Sequence, residues 1–320
     1  MKEAVRMGKV LTIGEAMGLL VAESEGPLDQ VKHFERHVCG AELNYIVGMA
    51  RLGFDAYYVS RVGNDPFGTC ICNFLRENHI HDTYVQVDDA YMTGFQMKEK
   101  VSCGDPKVAN IRRNTAFTHL TAADFAGIDW QGVQLLHVTG IPLALSDNCR
   151  QAIAFLMEEA HQNGVPVSFD TNLRPMLWPD EQTMCDTVCK FSLKADIVLP
   201  GLSEALRITG LADEKSIGQF YLDHGVKTVA IKLGGSDGVY VCTAEETHYV
   251  PSYHVDHIVD TVGAGDGFAA GFTSGLLDGL SLYDAARRGA AIGALQIQVA
   301  GDNEGLPTRS QLQEFQERAK

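Results

Sequence analysis

Short apolar runs rich in Val and Ile alternate along the chain with longer stretches whose apolar residues recur every three or four positions. The runs predict buried strands at 9–14, 56–63, 135–140, 165–170, 195–201 and 228–234. Between them, 41–53 and 147–164 read as helices. In the second, Ile153, Leu156, Met157 and Ala160 share one face and Gly164 supplies a stop. Continuous apolar strands separated by amphipathic helices predict an α/β three-layer sandwich, with helices on both faces of a mostly parallel sheet.

Two regions break this rhythm, at about 18–38 and 83–117. Val85 and Val87 alternate with polar neighbours, and so do Phe95 and Met97. Period-two alternation predicts half-exposed antiparallel strands. The two insertions would form a small β-sheet lid over the main domain, or else a pair of ordinary surface hairpins. No repeat, low-complexity tract or linker divides the chain, so residues 1–320 are read as one domain carrying that lid.

Composition narrows the function. The chain is 45% hydrophobic and 21% charged, a soluble globular balance. A net charge of −15 argues against nucleic acid, which needs a basic surface, but leaves room for a small anion held by local cations. The eight cysteines form no C-x-x-C pair, the opening residues do not read as a secretory signal, and no apolar run approaches a membrane span. Together these predict a reduced, cytoplasmic protein. His79, His81, His254 and His257 are read as polar loop residues rather than metal ligands.

In open parallel sheets ligands bind beyond the carboxyl ends of the strands. Gly14 and Glu15, Asp170 to Asn172, Glu204, and Gly234 with Gly235 all fall there. The densest run is DTVGAGDGF, residues 260–268, which leads into a helix whose Gly267, Gly271, Gly275 and Gly279 form a small-residue stripe. A glycine turn at a helix N-terminus presents unpaired N–H groups and a positive dipole end, which suit phosphate. A carboxylate there, Asp266, would repel that phosphate unless it has a task such as accepting a proton. The run therefore reads either as an anion hole with a base, the parts of phosphoryl transfer, or as a tight turn with an aspartate near a helix start. Neither G-x-x-x-x-G-K-[ST] nor G-x-G-x-x-G is present.

DTVGAGDGFAAGF resembles the second signature of the ribokinase-like (PfkB) carbohydrate kinases, and CGAELNYIVGMARLG followed by VGNDPFG resembles the first. The resemblance covers essentially the whole chain. It implies an α/β sandwich with a lid, ATP as phosphate donor, Mg²⁺, and association of copies through the lid. By that likeness Asp266 is the catalytic base and Gly263, Ala264 and Gly265 form the anion hole. Asp260 and Val262 match a monovalent-cation position, suited to K⁺. Glu204 takes the place of the glutamate that organises Mg²⁺ and phosphate, and Lys232, Gly234, Gly235 and Gly238 belong to a nucleotide-side loop. Gly14, Glu15, Gly40, Asn44 and Phe95 fall on the sugar side. Cys39 and Gly201 depart from the family pattern.

FDTNLRPMLW (169–178), NIRRNTAFTHLTAADF (110–125) and GDNEGLPTRSQLQEF (301–315) resemble segments of 2-keto-3-deoxygluconate kinases. This likeness implies phosphorylation of the terminal hydroxyl of a sugar acid. Arg112, with Arg113 as competitor, and Arg174 are the candidates to hold its carboxylate through paired N–H groups, beside Asn172. Asn110 replaces a tyrosine of that pattern. The alternatives are a neutral sugar such as fructose or ribose, or a 5-dehydro-2-deoxygluconate-type acid.

Overall fold

The computed structural model describes residues 7–101, 106–235 and 237–318. Cys103 and Ser236 lie outside them. The strands are β1 (Met7–Ile13), β2 (Met17–Glu25), β3 (Phe34–Cys39), β4 (Phe54–Gly63), β5 (His81–Asp88), β6 (Phe95–Lys100), β7 (Val108–Ile111), β8 (Val133–Thr139), β9 (Val167–Asp170), β10 (Ile197–Val198), β11 (Thr228–Lys232), β12 (Val239–Cys242) and β13 (Thr247–Val250). The main sheet runs β13-β12-β11-β10-β9-β8-β1-β4-β5, parallel from β11 to β5 with an antiparallel β11-β12-β13 end.

Every predicted main-sheet strand is present, two of them trimmed by two residues and one cut much shorter. Of 195–201 only Ile197–Val198 is strand, and Gly201 adds an isolated bridge to Lys232. The strands are apolar on both faces because both are covered. Leu136, Phe169 and Val229 pack with the helix Asp147–Gln162 and its neighbours on one side. Leu135 and Ala230, one residue away in the same strands, pack with the helices Ala41–Arg51 and Ala264–Leu277 on the other.

The second insertion begins later than expected. Residues 83–88 belong to β5, which pairs in parallel with β4 at the edge of the main sheet. An edge strand is half-solvated, and Val87 is indeed exposed, so its alternation mimics that of a hairpin. The small sheet is β3-β2-β6-β7, built from two antiparallel pairs joined along a parallel β2–β6 pairing. Among the described residues no helix is long and apolar enough to cross a membrane.

The helix after the glycine run packs closely on the helix Leu282–Gln296. A Cβ at Gly271 would lie 2.8 Å from Gly289 Cα and 2.9 Å from the Arg288 carbonyl oxygen. Gly275 meets Ala285 in the same way, whereas Gly279 lies past the helix end with φ 75° and serves as a left-handed stop rather than as part of the stripe. An alanine at an open helical glycine adds up to about 1 kcal/mol of stability. At Gly271 the backbone overlap is expected to win, and Gly271→Ala should lower the unfolding free energy by about 1–3 kcal/mol in urea titrations. A gain in stability would mean that the two helices separate at little cost.

Candidate active site

A cavity of about 560 Å³ opens at the carboxyl ends of the parallel strands, beneath the small sheet. It gathers Glu15 from the end of β1, Asn44 from the helix Ala41–Arg51, Asp170 to Arg174 from the end of β9, Lys232 from β11 and Asp266. Gln96, Asn110 and Arg112 close it from the small sheet and the segment after it. A second, more apolar cavity of about 620 Å³ adjoins it, sharing Lys232, Thr261 and Gly265. Gly234, Gly235, Gly238, Phe268 and Gly289 line this second space.

The glycine turn sits where the two cavities meet. Gly263 caps the helix with φ 77°, and a Cβ there would overlap the Asp302 carbonyl, so only glycine fits. Gly265 faces the Lys232 ammonium, which would be 3.6 Å from an added Cβ. Asp266, in the first turn, accepts a hydrogen bond from Asn44 Nδ2 at 2.8 Å. Burial beneath the cavity pushes its pKa up to about 7, Asn44 opposing and Asp170 adding to the rise. A carboxyl poised near neutrality suits proton acceptance from a substrate hydroxyl. Asn44 Oδ1 accepts in turn from Asn303 Nδ2 at 3.3 Å, so the segment before the last helix braces the candidate base.

Lys232 Nζ donates to both oxygens of Asp170, at 3.0 and 2.8 Å. Burial works against the Lys232 charge, but Asp170 and Glu204 more than offset it and hold the group as ammonium. Glu204 accepts from Thr171 Oγ1 at 2.6 Å, from the Leu173 N–H at 2.9 Å and from the Gly201 N–H at 3.1 Å. Burial would raise it, yet Lys232 and these donors keep its carboxyl below the usual range. Its oxygens thus already organise the loop after β9 and the start of the helix Leu202–Thr209. An added Cβ at Gly201 would come 3.3 Å from the Glu204 carboxylate, so glycine there leaves that carboxylate room.

The two arginines differ. Arg112 is paired with buried Glu15 through Nε at 2.8 Å and the second guanidinium nitrogen at 2.6 Å, and Thr115 Oγ1 donates to the same carboxylate at 2.6 Å. Arg113 is exposed and does not line the cavity. Arg174 lines the cavity and has no ion-pair partner among the described residues. It is held at φ 52°, two residues after Asn172 at φ 36°. Two non-glycine residues in the left-handed region cost of order 1–3 kcal/mol each, a strain that collects at functional sites.

Compared with known proteins, the chain matches the pfkB family carbohydrate kinases over residues 7–309. The chain belongs to that family. The kinase is similar to 2-dehydro-3-deoxygluconokinase from Bacillus subtilis, 43% identical over 306 residues, which are 95% of this chain and 94% of that protein. It is 30% identical over 301 residues to 5-dehydro-2-deoxygluconokinase from Geobacillus thermodenitrificans, covering 92% of this chain and 88% of that one. Among solved structures, a putative ribokinase II from E. coli in complex with ATP and Mg²⁺ superposes with TM-score 0.88 at 27% identity, over 98% of this chain and 100% of that chain. A fructokinase double mutant from Vibrio cholerae, solved with fructose, ADP and potassium ion, gives 0.83 at 26% identity, over 98% and 99%. The protein is thus a sugar kinase with a ribokinase-like fold.

Most of the kinase's expected site residues meet at the two cavities. Gly14 does so indirectly, since the space a side chain would need is filled by Glu42. Gly40, at φ 147°, brings the next helix against the Glu15 carbonyl, which an added Cβ would approach to 2.9 Å. Ala264 lines the nucleotide-side cavity, while Gly263 and Glu204 line the sugar-side one. Phe95 is a correction. It stacks on Phe67 with ring centroids 5.3 Å apart and does not line the cavity, whereas Gln96, one residue on, does. Strand alternation requires that only one of the pair face inward, and Phe95 was the wrong parity. Asp260 accepts from Lys98 Nζ at 3.1 Å and from the Val262 N–H at 3.1 Å.

Sequence reasoning missed Glu42 as a site residue. Its carboxylate lies in the cavity against the Thr139 hydroxyl, and burial pushes it up to about 6. It lies in the first turn of the helix Ala41–Arg51, where an acidic residue is common for dipole reasons alone. Asn303, in a glycine-rich tail, gave no signal. Asp266 and Glu42 both bind protons more tightly folded than unfolded, so stability falls as pH rises from about 4 towards 7. Asp266→Asn removes one of these contributions. Its melting temperature should match wild type near pH 4 and exceed it increasingly by about pH 7.5. A constant difference across that range would show that Asp266 does not titrate near neutrality.

Proposed function

We propose that the protein transfers the γ-phosphoryl group of ATP to the terminal hydroxyl of 2-keto-3-deoxygluconate, the 2-dehydro sugar acid, giving its 6-phosphate. The observation that carries this reading is Arg174. It is the cavity cation left without an ion-pair partner among the described residues, it is strained into place, and it shares the cavity with Asp266. In a chain of net charge −15 such a guanidinium is matched by an anionic ligand. Arg112 already answers Glu15, so the expected two-sided clamp narrows to Arg174, with the Arg112–Glu15 pair as a neutral polar wall.

In this reading the nucleotide occupies the second cavity, its base in the apolar part and its phosphates against Lys232 and the turn Gly263–Asp266. Among the described residues no group of three or more His, Cys, Asp or Glu side chains is disposed to hold a metal ion. Mg²⁺ brought with the phosphates would neutralise their charge, and Glu204, which lines the cavity, would be the residue to hold it. The terminal hydroxyl gives its proton to Asp266 as its oxygen bonds to phosphorus and the bond to ADP breaks. The small sheet closes over the site and limits hydrolysis. K⁺ is a different case. The Asp260 carboxylate already holds Lys98, and the Val262 carbonyl accepts from Gln296 Nε2 at 3.3 Å. These residues do not fit a separate cation.

The relatives' names support a sugar acid and keep 5-dehydro-2-deoxygluconate as the alternative. Exposed Ile111, on the small-sheet face away from the cavity, supports association of copies through that sheet. The free thiols among the described residues suit the reducing cytoplasm.

Asp266→Asn should lower kcat by about a hundredfold or more with nucleotide binding nearly intact. Arg174 is exposed in the free protein; once bound acid and the small sheet cover it, Arg174→Ala leaves a carboxylate unpaired, at a cost of about 2–5 kcal/mol. In a coupled ADP-release assay kcat/KM for the acid should then fall by a factor between tens and thousands, with KM for ATP barely changed. Arg174→Lys should recover part of the loss, since an ammonium lacks the planar fork. A better rate on fructose than on either acid, or a loss below about fivefold in Arg174→Ala, would leave only the sugar-kinase assignment standing.

A further inference from the structure

Lys98 lies on β6 with the parity of Gln96, so its side chain points from the small sheet towards the main domain. It ends on Asp260 of the glycine-turn loop, at 3.1 Å, with only 12% of the lysine and 21% of the aspartate side chain exposed. The other Asp260 oxygen takes the Val262 N–H. Fully buried Gln296 completes the arrangement, its Nε2 donating to the Val262 carbonyl at 3.3 Å and the Gly301 carbonyl at 2.8 Å, while its Oε1 has no partner. The loop is also tied to the end of the last sheet-covering helix by the Val259 N–H, which donates to the Ile297 carbonyl at 2.8 Å.

Both Asp260 oxygens and the Val262 and Gly301 carbonyls thus already take a donor of the chain itself. We propose that the Lys98 ammonium is a built-in cation: it sets the loop that carries the anion hole, links that loop to the small sheet, and makes the kinase independent of K⁺. An ammonium and a potassium ion are near in size and equal in charge, so the tethered group can hold Asp260 as a free ion would. Its presence also repels a second cation from the same carboxylate. Lys98 is a positioning residue, since it reaches the phosphates only through the turn that Asp260 opens. When the small sheet lifts, the pair must break, so the anion hole is fully set only with the sheet closed.

The test compares K⁺ with tetramethylammonium, which is too large for the loop. Wild-type kcat/KM should agree within about twofold between the two salts at equal ionic strength, and its melting temperature should not depend on which is present. Lys98→Met should lose about tenfold or more in tetramethylammonium, recover part of it with K⁺ or NH₄⁺, and melt higher as K⁺ is added. Should Lys98→Met fail to fold, Lys98→Gln keeps an amide donor and serves the same comparison. The melting readout needs no substrate, so it stands apart from the choice of sugar acid. Stimulation of wild type by K⁺ of about fivefold or more, or a folded Lys98 variant with no gain in K⁺ response, overturns the inference.

Discussion

Charge crowding at one sheet edge governs this molecule. Six carboxylates, Glu15, Glu42, Asp170, Glu204, Asp266 and Asp302, line a cavity that contains three cationic side chains, Arg112, Arg174 and Lys232. Away from water such carboxylates cannot all stay ionised without partners. Arg112 matches Glu15, and Lys232 matches Asp170 and supports Glu204. Burial raises Asp266, Glu42 and Asp302 to about 7, 6 and 6, and it raises Asp170 as well despite its lysine. Burial is thus the main influence on the candidate base, with Arg174 opposing it in part, and Arg174 itself has no ion-pair partner among the described residues.

This arrangement depends on packing far from the reacting atoms. The turn Gly263–Asp266 holds its shape because Gly263 lies against the Asp302 carbonyl and because Gly271 lets two helices touch backbone to backbone. The segment containing Asp302 and Asn303 is itself fastened by Arg51, which donates to the Asn303 and Leu306 carbonyls at 2.8 Å each. Asn303 then supports Asn44, and Asn44 supports Asp266. The residues that close the chain are therefore part of the site's scaffold. Close backbone packing of this kind transmits small displacements, so substitutions there should act on chemistry as well as on stability.

Much of this was legible in the residue order. Buried strands, helix faces and the glycine run with its carboxylate are local features, written in runs, periods of three to four and the conformational freedom of glycine. They were enough for the sandwich, for the cavity at the strand ends, and for placing the glycine turn and Asp266 beside it. Two errors have local causes too. β5 alternates like a hairpin strand because an edge strand is half-solvated, and Phe95 differs from Gln96 only in strand parity.

What the fold alone decided is the partner of each charge. Arg112 and Glu15 are 97 positions apart, and Lys98 and Asp260 are 162 apart. No local spacing encodes such pairs. They arise because parallel strands deliver distant segments to one edge and the small sheet is laid across it. Whether an arginine is free for a ligand, or a cation site is already filled by a lysine, is a question of which side chains meet. That is settled by tertiary packing and the cost of leaving a charge unpaired away from water.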